Sequence, residues 1–144
     1  MQSALGITQL KKLPSWVEKR RDIARAYDSA FNGSEIIRTL TLKPNRTHAY
    51  HLYTVQLDFN RLRAGKAKIF QALQAEGIGV NVHYIPVHLH PLYRNMLKTA
   101  PGLCPHAEKA YEQLLSLPIF PTMTPQDVED TITAMNKVTQ AFMR

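Results

Sequence analysis

The residues best suited to chemistry lie between Gly77 and Arg94, in the segment GIGVNVHYIPVHLHPLYR, which holds three histidines and two tyrosines. Neutral imidazoles and phenols on a loop can hydrogen-bond phosphate or sugar hydroxyls while their rings stack on flat groups. The alternation of Val80, Val82 and Tyr84 with polar residues predicts a half-buried strand, and Pro86 ends regular pairing because it has no N–H. We therefore expect a strand that ends at Tyr84, followed by a polar, aromatic loop that binds a ligand.

Two other kinds of chemistry are possible for the same segment. His88 and His90 form an HxH pair, and His83 and His106 are further candidate zinc ligands. A zinc site needs three or four oriented ligands, and the sequence has no CxxC, no HExxH and no carboxylate in the loop. A catalytic pairing of Cys104 with His106 lacks a third group that would orient the imidazole. We therefore favour ligand binding over a metal site or a catalytic cysteine.

The composition predicts one globular domain with its own core. The chain has 144 residues, of which 44% are hydrophobic, and its single cysteine excludes an internal disulfide. No window is apolar for the length that a membrane span needs, so we expect no membrane partner. The N-terminus lacks the features of a secretory signal and is expected to be part of the structure. These features favour a cytoplasmic location.

The formal charge of +7 raises the question of a nucleic-acid partner. A basic α+β domain could stack bases on Tyr50, Tyr53 or Phe59. However, no RNP pattern is present, and Tyr53 and Phe59 alternate with Val55 and Leu57 as core residues do. The commonest meaning of such a charge excess is a solvated face. We therefore expect no nucleic-acid partner.

The first third of the chain predicts a helix and a hairpin. A short apolar stripe precedes Pro14, which is expected to restart the helix at its first turn, and the pair Asn32-Gly33 stops it. Residues 36–42 and 49–59 then predict two antiparallel strands on either side of a turn. On the second strand His51 shares the face of the core residues, so we place it at the rim of the core.

The remainder predicts three more helices around the histidine segment. Apolar spacing indicates a helix from about Leu62 to Leu73, a second over residues 105–115, and an extended piece over residues 117–120. The last helix begins with Thr124 as cap, Pro125 at the first position and Asp127 completing a capping box. The predicted fold class is α+β, with helices packed on a small, mainly antiparallel sheet.

Four segments, in this order, resemble one family: QSALG with QLKKL, then HAYHLYTVQLD, then GIGVNVHYIPVHLHPLYR, then PHAEKAYEQLLSLPIFPTMTPQDVEDTI. They are similar to the DegT/DnrJ/EryC1/StrS sugar-nucleotide aminotransferases, which use pyridoxal phosphate. The resemblance spans nearly the whole chain. The histidine segment is most like the branch that aminates a 4-keto-6-deoxy UDP-N-acetyl-hexosamine on the way to pseudaminic acid.

The resemblance implies that residues 34–144 form the C-terminal small domain of a fold-type I aminotransferase, and that residues 1–33 bridge the large and small domains. It further implies transfer of an amino group from glutamate to a nucleotide sugar in surface polysaccharide or glycan biosynthesis. The implied substrate-binding residues are His83, Tyr84, His88, His51 and Tyr93. For His51 and Tyr93, a structural role in packing remains the alternative.

The resemblance also places the cofactor-binding lysine, the acidic partner of the pyridine nitrogen and the phosphate cradle in a large N-terminal domain that this sequence lacks. A Schiff-base lysine must lose its proton, which a solvated lysine on a helix surface does not do. We therefore expect no cofactor to bind to this chain alone, and no transamination by it.

The N-terminal stripe predicts a partner. In the family context Ala4, Leu5, Leu10 and Leu13 would be covered by the large domain, and exposed apolar patches of this kind commonly mark interfaces. We expect the N-terminal helix either to mediate association, with a second copy or with a partner chain, or to be disordered. The alternative function is a non-catalytic interaction module or truncated paralogue that self-associates or pairs with a protein carrying the cofactor domain.

Overall fold

A computed structural model describes residues 2–144. The α-helices are α1 (Gln2–Phe31), α2 (Lys66–Ala75), α3 (Pro91–Leu97), α4 (Pro105–Gln113) and α5 (Pro125–Ala141). The strands are β1 (Ile37–Arg38), β2 (Tyr53–Leu57) and β3 (Leu114–Leu117), and short 3₁₀ helices span Phe59–Arg61 and Val87–Leu89. This arrangement confirms the α+β prediction. No helix within the described range is long and apolar enough to cross a membrane.

The sheet has the order β1-β2-β3 with antiparallel pairing throughout. The register places Ile37 opposite Leu57, and Tyr53 opposite Leu117. The predicted antiparallel pair of strands is therefore confirmed, although both strands are shorter than predicted. Residues 40–49 are all exposed, so no apolar face holds them in a ladder, and Pro44 lacks the N–H that pairing would need.

The predicted conformation of residues 114 and 115 is wrong, because they belong to β3. We predicted a helix as far as residue 115, whereas α4 ends at Gln113 and β3 begins at once. Leu115 and Leu117 are 0% and 3% exposed, and Leu115 lies opposite Val55 of β2. Burial against the core therefore decides the conformation here, and it overrides a local pattern that continues the helix.

The prediction of a strand that ends at Tyr84 is also wrong. The structure has only an isolated antiparallel bridge between Asn81 and Ser116. The side-chain oxygen of Asn81 accepts a hydrogen bond from the Val82 amide at 2.7 Å, so that amide does not extend a ladder. With Pro86 close behind, the segment leaves the sheet after one bridge.

The core lies between the sheet and helices α1, α2 and α5. Alternate residues of β2 point into it, and α2 and the second half of α1 pack against α5. Its fully buried members include Tyr27, Val55, Leu57, Leu62, Ile69, Leu73, Leu115 and Met135. The predicted capping box is confirmed: the Asp127 amide donates to the Thr124 hydroxyl at 3.2 Å, and the Thr124 amide donates to the Asp127 carboxylate at 2.7 Å.

The N-terminal helix is continuous through Pro14, which corrects the predicted restart at this residue. A proline inside a helix frees the carbonyl four residues earlier. Here that carbonyl belongs to Leu10, whose residue is 67% exposed, so water can satisfy it. Leu5, Leu10 and Leu13 on this helix are exposed. Both expectations for the helix, association and disorder, stay predictions.

Candidate functional site

The candidate site is built around residues 83–104, which we call the histidine loop. The loop leaves the sheet at the Asn81–Ser116 bridge and contains the second 3₁₀ helix and α3. No residue from 81 to 114 is buried. Hydrogen bonds rather than apolar packing must therefore hold the loop in place.

One anchor of the loop is His83. Its Nδ1 lies 2.7 Å from the hydroxyl oxygen of Ser116, which is 4% exposed in the middle of β3. Backbone hydrogen bonds of 3.0 and 2.8 Å between Asn81 and Ser116 fix the two segments beside this contact. The imidazole is thus tied to the sheet through one ring nitrogen.

Tyr84 follows directly and lies on the surface. It is 74% exposed, and its ring meets the His83 ring edge-on at 4.6 Å between centroids. Within residues 2–144 the Tyr84 hydroxyl has no hydrogen-bond partner, and most of the side chain faces solvent. The pair therefore offers a hydrogen-bonding group and a stacking surface next to each other.

The second anchor joins His88 to Glu108 of α4. Nε2 of His88 lies 2.8 Å from Oε1 of Glu108, and their side chains are 10% and 21% exposed. The same carboxylate accepts the Gly102 amide at 2.9 Å on both oxygens and the Cys104 amide at 3.2 Å. The Gly102 amide, followed by the His88 hydrogen bond, lowers the pKa of Glu108.

The remaining candidates lie apart from these two anchors. Tyr93 is on α3 and is 39% exposed, so it is neither fully packed nor fully free. His51 is exposed at a bend two residues before β2, and within the described chain no hydrogen bond ties it to His83 or His88. The predicted position of His51 at the rim of the core is wrong, because the bend at residues 51–52 breaks the alternation of the strand.

Sequence reasoning missed two residues of this site. Ser116 lies between the predicted helix and the predicted extended piece, and its contact with His83 depends on the sheet register. Glu108 was not among the candidate residues. A weak signal existed for it, because a carboxylate in the first turn of a helix is well placed to accept backbone amides just before that helix.

The alternative chemistries gain nothing from the geometry. Across residues 2–144 there is no group of three or more histidine, cysteine, aspartate or glutamate side chains that could hold a metal ion. Cys104 is exposed, and its amide, not its thiol, takes part in the Glu108 network. Ligand contact through the imidazole and phenol groups of the loop stays a prediction.

Comparison with known proteins places this chain in a class. The model of the DegT/DnrJ/EryC1/StrS aminotransferase family matches residues 1–136. The chain belongs to this family.

Two individual proteins are similar to this chain over nearly its whole length. The chain is 40% identical over 138 residues to an uncharacterized protein of Methanocaldococcus jannaschii, covering 96% of this chain and 36% of that protein. It is 36% identical over 139 residues, with the same coverage of both, to the spore coat polysaccharide biosynthesis protein SpsC of Bacillus subtilis.

A solved structure shows the same fold. The Helicobacter pylori aminotransferase PseC, which is involved in the biosynthesis of pseudaminic acid, superposes with a TM-score of 0.90 at 30% identity. The match covers 98% of this chain and 37% of PseC. The chain therefore spans little more than a third of the length of the proteins it resembles.

Proposed function

We propose that this chain acts as the C-terminal portion of a pyridoxal-phosphate-dependent sugar-nucleotide aminotransferase, in which residues 34–144 are the small domain and residues 1–33 bridge it to the large one. The observation that carries the proposal is the family match over residues 1–136, together with a surface loop in which His83 and His88 are each held through one ring nitrogen. In this proposal the parent enzyme aminates a 4-keto-6-deoxy nucleotide sugar with glutamate as donor. The likeness to PseC and SpsC favours surface glycan biosynthesis as its setting.

The proposed task of the histidine loop is to bind the substrate. His83 and His88 each use one ring nitrogen to hold the loop, which leaves the other for a ligand. Tyr84 supplies an exposed phenol beside His83. Tyr93 and His51 are weaker candidates, because within the described residues no hydrogen bond holds either of them beside His83, Tyr84 or His88. None of these groups is assigned a proton transfer.

The lysines of this chain do not fit a cofactor site. Pyridoxal phosphate supplies the electron sink for amino transfer when it is bound to a lysine held away from water. Every lysine except Lys66 is exposed. Burial lowers the pKa of Lys66, but its amine donates to the Tyr111 carbonyl and lies 4.3 Å from the centre of the Tyr111 ring. We therefore propose that the chain alone does not transaminate.

Two experiments test this proposal. The first is titration of the chain with pyridoxal phosphate, with borohydride reduction and peptide mapping. We expect no specific label, and stoichiometric labelling of one lysine, Lys66 in particular, would overturn the proposal of inactivity. Lys66→Arg is the matched variant for that outcome.

The second experiment replaces the matching third of PseC with this chain and measures glutamate-dependent amination of the PseC substrate. We expect the chimera to be active. We expect His83→Ala in the chimera to abolish this activity while the fold stays intact. A folded, cofactor-loaded chimera that binds no nucleotide sugar would contradict a substrate-side role for the chain.

A second candidate function is an interaction module. Leu5, Leu10 and Leu13 of the N-terminal stripe are 61%, 67% and 44% exposed on α1. Such a stripe favours association with a second copy or with a partner that carries the cofactor domain. Replacement of Leu5 and Leu10 by lysine tests this association.

A further inference from the structure

The histidine loop depends on one carboxylate. Glu108 accepts the Gly102 amide on both oxygens, the Cys104 amide and the His88 imidazole. From the other side, the Thr99 hydroxyl donates to the His88 carbonyl at 2.6 Å. Because nothing between residues 81 and 114 is buried, these polar contacts are what determine the loop conformation.

The contact with Glu108 also determines the proton position on His88. An ionised carboxylate only accepts hydrogen bonds, so Nε2 of His88 must carry the proton that points at Oε1, 2.8 Å away. In the neutral imidazole the other nitrogen, Nδ1, is then an acceptor. The lowered pKa of Glu108 keeps its carboxylate ionised at neutral pH.

Nδ1 of His88 is open to a ligand. Among residues 2–144, the one buried side-chain nitrogen or oxygen without a partner is Nε of Arg20. Within the same residues Nδ1 of His88 has no hydrogen-bond partner, so this nitrogen is not completely buried, although the side chain as a whole is only 10% exposed. A hydrogen-bond acceptor at this position suits a hydroxyl donor and is repelled by the oxygens of a phosphate.

We propose that Glu108 is the positioning residue of this site: it holds the histidine loop and presents Nδ1 of His88 as an acceptor for a hexose hydroxyl of the substrate. The assignment of a hexose as ligand rests on the proposed function. The positioning role of Glu108 rests on the hydrogen bonds alone. Sugar hydroxyls donate to such an acceptor, whereas the diphosphate of a nucleotide sugar does not. Glu108 therefore acts on the substrate through His88.

The test compares Glu108→Gln with Glu112→Gln in the full chain at neutral pH. Glu112 is exposed one turn further along α4 and has no hydrogen bond within the described residues, so it is the matched control. Nitrogen-15 NMR reports the tautomer of His88, and hydrogen exchange reports the Gly102 and Cys104 amides. UDP-N-acetylglucosamine is the probe, with UDP as the probe that lacks the hexose.

In the wild type and in Glu112→Gln we expect a hydrogen-bonded Nε2–H signal from His88 and a shift of Nδ1 with UDP-N-acetylglucosamine but not with UDP. In Glu108→Gln we expect loss of the Nε2–H signal and of the Nδ1 shift, because an amide cannot satisfy the same donors. Exchange at Gly102 should be about tenfold faster or more, since hydrogen bonds to a charged group are lost.

A third variant separates positioning from general loop stability. Thr99→Val removes the hydroxyl that binds the His88 carbonyl and should speed exchange at Gly102 while the Nε2–H signal persists. If Thr99→Val abolishes that signal as Glu108→Gln does, Glu108 has no separate effect on His88 and the proposal is overturned. This comparison also serves if Glu108→Gln proves too unstable to study.

Different results would overturn the positioning role of Glu108 and the acceptor role of His88. Equal exchange and equal His88 signals in the wild type and Glu108→Gln would overturn the positioning role, whatever binds. An intact Nε2–H signal in a wild type whose Nδ1 responds to neither probe would overturn the acceptor role and would count against the proposed substrate contact. A response to UDP alone would overturn the assignment to a hexose hydroxyl.

Discussion

The core around β2 and the histidine loop are held together by different interactions. In the core, side chains such as Leu57 and Leu115 are completely buried, and the sheet ladder satisfies the backbone. In the histidine loop no residue is buried, and a carboxylate and two hydroxyls replace apolar packing. The side chains that stabilise the fold and those proposed to bind substrate therefore lie in different regions of this chain. Substitutions in the two regions should therefore differ in size and in what they change.

The largest difference in unfolding free energy is expected between leucine-to-alanine substitutions made in the two regions. Leu57→Ala removes a side chain that is 0% exposed and should cost about 3 kcal/mol of unfolding free energy, because it leaves a cavity. Leu92→Ala on α3, where Leu92 is 60% exposed, should cost less than about 0.5 kcal/mol. Urea unfolding measures both. Similar costs would mean that the loop is packed after all.

The core should also lose stability in alkali. Burial raises the pKa of Tyr27 to about 12, and its hydroxyl donates to the Pro118 carbonyl at 2.9 Å. Because the folded pKa lies above the unfolded value near 10, the contribution is complete below pH 10 and is lost as the pH rises toward 12. By pH 11 the unfolding free energy should fall by roughly 1 kcal/mol.

Burial raises the pKa of Tyr53 as well, and its hydroxyl donates to Asp28 at 2.6 Å. The alkaline loss should therefore shrink in Tyr27→Phe and shrink further when Tyr53 is also replaced by phenylalanine. Urea unfolding between pH 8 and pH 11 measures it. A double variant with an undiminished loss would place the titrating group outside the core.

A smaller effect is expected at the start of α5. Thr124→Ala removes the side-chain half of the capping box and should cost about 1 kcal/mol. The control is Thr133→Ala, an exposed threonine inside the same helix, which should be neutral or slightly stabilising because alanine is the better helix former. Thermal unfolding distinguishes the two. Equal costs would show that the cap adds nothing to the helix.

The smallest change in stability should accompany the largest change in association. Replacing Leu5 and Leu10 by lysine alters side chains that are 61% and 67% exposed, so the unfolding free energy should move by less than about 0.5 kcal/mol. Sedimentation equilibrium should show a shift from dimer toward monomer. The control places lysines at Thr8 and Gln9, which adds the same charge. A wild type that is monomeric at every concentration would refute self-association.

Features whose causes are local were predicted correctly, whereas α3 was not predicted and α4 ends earlier than predicted. The capping box at Thr124 and Asp127, and the alternation of Tyr53, Val55 and Leu57, depend on neighbouring residues and appear in the structure as predicted. The prediction was wrong at β3 and at the strand before Tyr84, where pairing between distant segments decides the outcome. Residues 114–117 become a strand only because β2 is there to pair with them.

The sequence by itself determined the family, the α+β class and the concentration of imidazoles and phenols in one segment, because composition, periodicity and motif order are properties of the chain alone. Only the tertiary structure decided which nitrogen of each histidine is engaged. Ser116 reaches His83 from 33 residues away, and Glu108 reaches His88 from 20 residues away. Hydrogen-bond partners at such separations depend on how the chain folds back, and no local pattern records that path.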